Sequence, residues 1–226
     1  MIALTAALRK KPPAHRLVWR DAVHAKEAAF AVPGEIKVQG NVDMAKVIEA
    51  FKAIVSKDSI ITSDAGTFSR WVHRYYRFNR VDTNLGPVSG AMGYGIPGAL
   101  GACVAEPHRP VFCWVGDGGF LMTGHEVAAC VQENLPAKII VCDNNAWGTI
   151  VVDQQKRFGD KWGFGSLLKS PDFAVLGRGY GIPAYAVKAT EEFPDALRAV
   201  IDHKGPAMIH LVLDRRDISP YSGSTR

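Results

Sequence analysis

At 226 residues, 47% hydrophobic and 22% charged, the chain can bury one good core, and a single domain with a terminal arm fits this length better than two full domains. No apolar run reaches the roughly 18 residues that a membrane helix needs, and Arg9, Lys10 and Lys11 follow the apolar opening instead of preceding it, which excludes a membrane span and a secretory signal while leaving a transit peptide open. The formal net charge of +5 suits a polyanion, but the basic residues are scattered and a phosphate-bearing small molecule accounts for the balance equally well.

Residues 1 to about 33 are rich in Ala, Lys and Arg and contain Pro12-Pro13. They read as a helical arm closed by Pro33-Gly34 without a core of its own, so residues 1–40 are assigned to an arm and linker and 41–226 to the domain proper. From Asn41, the positions Val42, Ala45, Val47, Ile48, Phe51 and Ile54 form a helical stripe, and Ser59 to Ser63 is a short buried strand ending at Asp64. Trp71 to Phe78 has helical spacing, Leu85 to Gly95 is a Gly/Pro/Ser loop, and a small-residue helix runs from about Pro97 to Ala105. The most regular stretch follows: strand Val111 to Val115, loop Gly116 to Gly119, helix Thr123 to Glu133, strand Lys138 to Cys142, loop Asp143 to Gly148. Further on, Phe173 to Arg178 and Glu191 to Asp202 read as helices, and Ala184 to Val187 and Ala207 to Leu213 as strands. This alternation predicts an α/β fold, a doubly wound parallel sheet with helices on both faces. Cys103, Cys113, Cys130 and Cys142 form no CxxC pair and fall in apolar stretches, as expected of reduced core thiols in a cytoplasmic protein.

A strand-helix-strand crossover brings both strands out at the carboxyl edge of the sheet, where open α/β sheets bind ligands. Asp117 ends the first strand and Asn144, 27 positions on, follows the second, so the two side chains should converge. A carboxylate beside an amide oxygen and loop carbonyls is an all-oxygen set suited to a hard cation such as Mg²⁺. Gly116, Gly118 and Gly119 remove bulk around the Asp, and a helix starting near Thr123 would offer free N–H groups to an anion. Either turn by itself could be a tight connection and nothing more; the pair, each just after a strand, points to a diphosphate cradle.

Gly116-Asp117-Gly118, a helix, then Asn144-Asn145 resembles the GDG…NN signature of thiamine diphosphate (ThDP)-dependent enzymes. The resemblance implies that Asp117 and the side-chain oxygen of Asn144 ligate Mg²⁺, with the main-chain carbonyl of Ala146 as third protein ligand and two diphosphate oxygens and a water completing the shell. Ser89-Gly90-Ala91-Met92-Gly93-Tyr94-Gly95-Ile96-Pro97 resembles the SGxMGxGxP segment of acetolactate synthase-like enzymes. That would place Met92 between the two rings of a bent cofactor and the Gly90 carbonyl against its exocyclic amine. The cofactor contacts so implied are Gly90, Met92, Gly116, Asp117, Gly118, Gly119, Asn144, Ala146, Trp147 and Gly148. The resemblance covers roughly residues 41–215. Asp143 departs from the more common Asn before the ligand Asn, and Trp147 stands where Tyr is frequent; neither change removes a ligand.

In this family the glutamate that activates the cofactor sits in a separate pyrimidine-binding domain, for which this chain has no counterpart, and Glu126 reads as structural. The expectation is therefore no catalytic residue within this chain. It would be a subunit of a split enzyme or the carboxyl-terminal part of a longer one, completed by a pyrimidine-binding partner in a homo- or hetero-oligomer. The implied activity is decarboxylation of a 2-oxo acid with transfer of the acyl-anion equivalent, or simple decarboxylation as the alternative. A flavin-bearing middle domain is also missing, so no FAD is expected.

Two other readings compete. Gly93 to Gly98 matches GxGxxG, with Asp117 lying 19 residues beyond, but a dinucleotide fingerprint needs a strand directly before its first glycine, and loop residues precede this one. Arg70, Arg74 and Arg77 share a helix face beside Trp71, Tyr75 and Phe78, the mixture that an RNA-binding module would use for phosphate contacts and base stacking, although aromatic residues at this spacing more often form core or interface. His73, His108, His125, His203 and His210 have no metal-ligand spacing. Gln154 to Lys161 could form part of a lid.

Overall fold

The computed structural model describes residues 14–32, 36–78 and 80–221. The chain divides into residues 1–35 and 36–226. The first unit contains helix α1 (Ala14–Phe30); Pro33-Gly34, the expected close of the arm, lies outside the described residues, as does Pro12-Pro13.

The second unit runs α2 (Met44–Ile54), β1 (Ile60–Ser63), α3 (Ser69–Tyr75), β2 (Asn84–Leu85), α4 (Gly95–Ala105), β3 (Val111–Gly116), α5 (Asp117–Thr123), a 3₁₀ turn, α6 (Val127–Gln132), β4 (Lys138–Asp143), α7 (Gly148–Phe158), α8 (Phe173–Gly179), β5 (Ala184–Val187), α9 (Phe193–Asp202) and β6 (Ala207–Val212). The strands form one sheet in the order β2-β1-β3-β4-β6-β5, and every pairing is parallel. This is the doubly wound α/β architecture expected from the alternation.

Two cores follow from the two-residue period of the strands. Phe112, Trp114, Ile140, Cys142, Ile209 and Leu211 face α2, α3 and α9. Val111, Cys113, Val115, Ile139, Val141 and Met208 face α4, α6 and α8. Phe51 of α2 packs edge-on against Phe112 and Trp114, with ring centroids 5.0 and 5.2 Å away. Asp43 caps α2 by accepting the Ala45 and Lys46 N–H groups, and Asp172 caps α8 through Val175 N–H, each supplying a partner that the first helical turn lacks.

The sequence expectation fails at the glycine loop. Residues 117–119 are already helical, α5 ends at Thr123, and the expected helix from Thr123 to Glu133 is a 3₁₀ turn (Gly124–Glu126) followed by the short α6. Glycine disfavours helix locally, but here close packing overrides propensity. A Cβ at Gly119 would stand 2.0 Å from Asp64 Oδ2, and one at Gly118 would stand 3.0 Å from the Trp147 ring. Residues 148–158, not expected to be helical, form α7, whose single buried residue is Val151. Helix α3 stops at Tyr75, because Tyr76 is extended.

Candidate functional site

Strands β3 and β4 pair with Gly116 opposite Cys142, so the chain leaves both at one level and places Asp117 beside Asp143 and Asn144. All ten residues expected to touch the cofactor line one cavity of about 340 Å³ at this carboxyl edge: Gly90, Met92, Gly116, Asp117, Gly118, Gly119, Asn144, Ala146, Trp147 and Gly148.

Asp117 is buried. Its Oδ1 accepts the Gly118 N–H at 2.7 Å and its Oδ2 the Ala146 N–H at 3.1 Å, so one carboxylate joins the start of α5 to the loop after β4. Burial pushes this carboxyl up to about 7; the neighbouring Asp143 adds to the rise, while the Gly118 N–H opposes it. Burial works in the same direction on Asp143, yet hydrogen bonds, led by that with His210, hold its carboxyl below the usual value.

The 144–147 loop is fixed on both sides. Asn145 is left-handed, φ 56°, a conformation that Asn tolerates better than most residues. Its N–H donates to Asp143 Oδ1 at 3.0 Å, its side-chain oxygen accepts from Ser170 N–H at 3.0 Å, and its carbonyl accepts from Leu168 N–H. Trp147 N–H donates to the Ser166 carbonyl. Gln154, considered for a lid, lies within α7 and pins the 163–166 segment by accepting from Gly163 N–H and Ser166 Oγ and donating to the Phe164 carbonyl. Thr67 closes the floor, since a Cβ at Gly148 would meet its hydroxyl at 2.4 Å.

The Met92 loop depends on an acid that the sequence marks only as the end of a strand. Asp64, at the carboxyl end of β1, is buried and accepts N–H bonds from Ala65, Gly93 and Tyr94 at 2.8, 2.9 and 3.1 Å. Burial raises its carboxyl against these bonds. The rule that picked out Asp117, an acid closing a buried strand, applies to Asp64 without change. Gly90 and Gly93 take φ values of 70° and 87°, where side chains are strained, and Met92 between them is 36% exposed, open to the cavity. Thr123, expected to start a helix that offers N–H groups to an anion, instead ends α5 and donates its hydroxyl to the Gly93 carbonyl at 3.0 Å.

Other walls were not anticipated: Phe68, Arg70 and Trp71 from α3 and the turn before it, and Leu213, Asp217 and Ile218 after β6. Asp217 is committed to the Gln39 and Gly40 N–H groups. The proposed nucleic-acid face does not form a stacking platform, because Trp71 and Tyr75 are buried and Arg74, also buried, donates to the Pro220 carbonyl at 3.0 Å. Glu126 lies outside the residues lining the cavity, 3.5 Å from His125. Helix α4 carries most of the GxGxxG match, but loop residues 86–94 separate it from the two-residue β2.

The family model for the thiamine pyrophosphate enzyme C-terminal TPP-binding domain matches residues 64–211. The chain is similar to acetolactate synthase isozyme 1 large subunit of Escherichia coli, 32% identical over 173 residues, covering 76% of this chain and 31% of the relative. It is similar to isozyme 2 large subunit of the same organism, 30% over 158 residues, covering 70% and 29%. A probable acetolactate synthase large subunit of Methanocaldococcus jannaschii is 32% identical over 165 residues, covering 73% and 28%. The chain thus spans less than a third of the length of these relatives. The family match reaches from Asp64 to Leu211 and takes in both strand ends of the cavity, and the chain belongs to the thiamine pyrophosphate enzymes through their C-terminal TPP-binding domain.

Proposed function

We propose that the cavity holds ThDP by its diphosphate through Mg²⁺, with the Asp117 carboxylate, the Asn144 side-chain oxygen and the Ala146 carbonyl as protein ligands. The observation that carries this is the meeting of Asp117 with the 144–146 loop in a cavity where Gly118, Gly119 and Gly148 leave no room for a Cβ. The donor set fits the ion, since Mg²⁺ takes one or two carboxylates and fills its octahedron with phosphate oxygens and water. Among the described residues no three His, Cys, Asp or Glu side chains are grouped to hold a metal, so a cation at Asp117 relies on the ligand's own oxygens. A positive charge there also relieves the crowding of Asp117 against Asp143, the electrostatic state that burial makes costly.

When bound, ThDP supplies a stabilised carbanion next to a carbonyl. This chain's residues would orient and enclose it: Asp64 fixes the 93–94 amides beside Met92, Met92 and the Gly90 carbonyl would contact the cofactor's rings and its exocyclic amine, and Trp147, packed against Gly118, would help close the site. The full reaction is then decarboxylation of a 2-oxo acid with acyl-anion transfer, in a cytoplasmic oligomer where a pyrimidine-binding domain brings the activating glutamate. The names of the relatives support that reaction class.

Calorimetry of the chain with ThDP, with and without Mg²⁺, tests the assignment. Binding that needs Mg²⁺ and disappears in Asp117→Ala is expected; unchanged affinity in that variant would overturn it.

A further inference from the structure

His210 in β6 pairs in register with Val141 of β4, and its side chain is buried at 5% exposure. Nε2 lies 2.9 Å from Asp143 Oδ2. The other oxygen, Oδ1, accepts the Asn145 N–H, so both oxygens of this buried carboxylate, which also stands against Asp117, are engaged by neighbouring groups of the fold. The imidazole is itself held in place. Phe173 meets it edge-on with centroids 5.2 Å apart, and Asp172 Oδ1, at the cap of α8, stands 3.6 Å from Nδ1, which has no hydrogen-bond partner.

This pair is not needed to join the strands. Backbone pairing already runs along the whole of β4 and β6, from Lys138 opposite Ala207 to Asp143 opposite Val212. What the pair restrains is the carboxylate that carries the left-handed Asn145, and Asn144 and Ala146 flank that residue. A hydrogen-bonded partner behind a metal-binding loop fixes the ligands' directions, and removing such partners typically weakens metal affinity about 10–100-fold. We propose that His210 is a positioning residue for the cation site: it locks Asp143, so that Asp143 shapes the loop and does not itself ligate the metal, leaving Asn144 and Ala146 aimed at the ion. This rests on the Mg²⁺–ThDP assignment above.

The test uses the whole chain in three forms, wild type, His210→Ala and His210→Gln. Mg²⁺ affinity at saturating ThDP is measured by calorimetry, and the melting temperature is measured without metal or cofactor. The expected result is Mg²⁺ affinity about 10–100-fold weaker in His210→Ala, with substantial recovery in His210→Gln, whose amide N–H can donate to the same carboxylate oxygen. Should His210→Ala fold poorly, recovery is judged from wild type and His210→Gln, which must then bind Mg²⁺ within a few-fold of each other. A wild type without Mg²⁺-linked ThDP binding would remove the cofactor assignment itself. A wild type that binds, beside a folded His210→Ala of equal Mg²⁺ affinity or a folded His210→Gln as weak as the alanine variant, would overturn the positioning role alone.

Discussion

Asp117 carries a conflict between stability and binding that a single substitution should expose. Its carboxyl is moved from the ordinary 3.8 to about 7, first by burial, with Asp143 contributing. A carboxyl raised on folding binds its proton more tightly in the folded chain, so it costs nothing below about pH 4. The penalty grows as pH rises from about 4 to 7 and is complete above that. At about 1.4 kcal/mol per pKa step the ceiling is roughly 4 kcal/mol; because Asp143 titrates with it and moves the opposite way, the net cost for the pair is smaller. Asp117→Asn keeps the shape and removes the charge, but its NH2 replaces one of the two oxygens that accept the Gly118 and Ala146 N–H groups, a cost of about 1–3 kcal/mol that does not depend on pH. Without metal, the melting temperature of the variant relative to wild type should therefore rise by a few degrees between pH 5 and pH 8, at roughly 2–4 °C per kcal/mol for a chain of this size. Added Mg²⁺ and ThDP should stabilise wild type alone, by about 2.7 kcal/mol when ligand stands at 100 times its Kd. Calorimetric melts of both proteins from pH 5 to 8, with and without ligand, decide the matter. A difference between the two proteins that ignores pH would refute the account of Asp117 as a buried charge awaiting a cation.

Asp64→Ala should leave the Gly93 and Tyr94 amides without their acceptor, costing about 1–3 kcal/mol of stability and weakening ThDP binding; binding that survives intact would separate Asp64 from the Met92 loop. Burial pushes the Cys103 thiol up to about 11 and Cys130 up to about 12, and raises Cys113 and Cys142 as well. A thiol reagent at pH 8 should therefore modify all four only as fast as the chain unfolds, and a rapid phase in the folded protein would contradict this packing.

Much of the site was legible because its signals are local. Each central strand is a short, largely apolar run, and the residue that ends it stands at the carboxyl edge whatever the helices do, which was enough to bring Asp117 and Asn144 together. The left-handed glycines around Met92 are equally local. Other features depend on partners distant in sequence. Gly118-Gly119 reads as a loop until Asp64 and Trp147 are seen filling the space that a Cβ would need, and α7 reads as loop because its residues are mostly polar and bury only Val151. The basic aromatic stretch at 70–78 reads more readily as core or interface than as a nucleic-acid surface, and the structure decides for core, with Trp71 and Tyr75 buried and the Pro220 carbonyl taking Arg74.

The sequence by itself determined five of the six strands, all but the two-residue β2, and the two strand ends that meet at the cavity, because periodicity and residue chemistry act over a few positions. Only the tertiary structure decided which acids serve which neighbours: Asp64 under the Met92 loop, Asp117 bridging α5 and Ala146, and Asp143 turned toward His210, 67 residues away. Hydrogen bonds between strand ends depend on strand order and register, which no single stretch of sequence encodes.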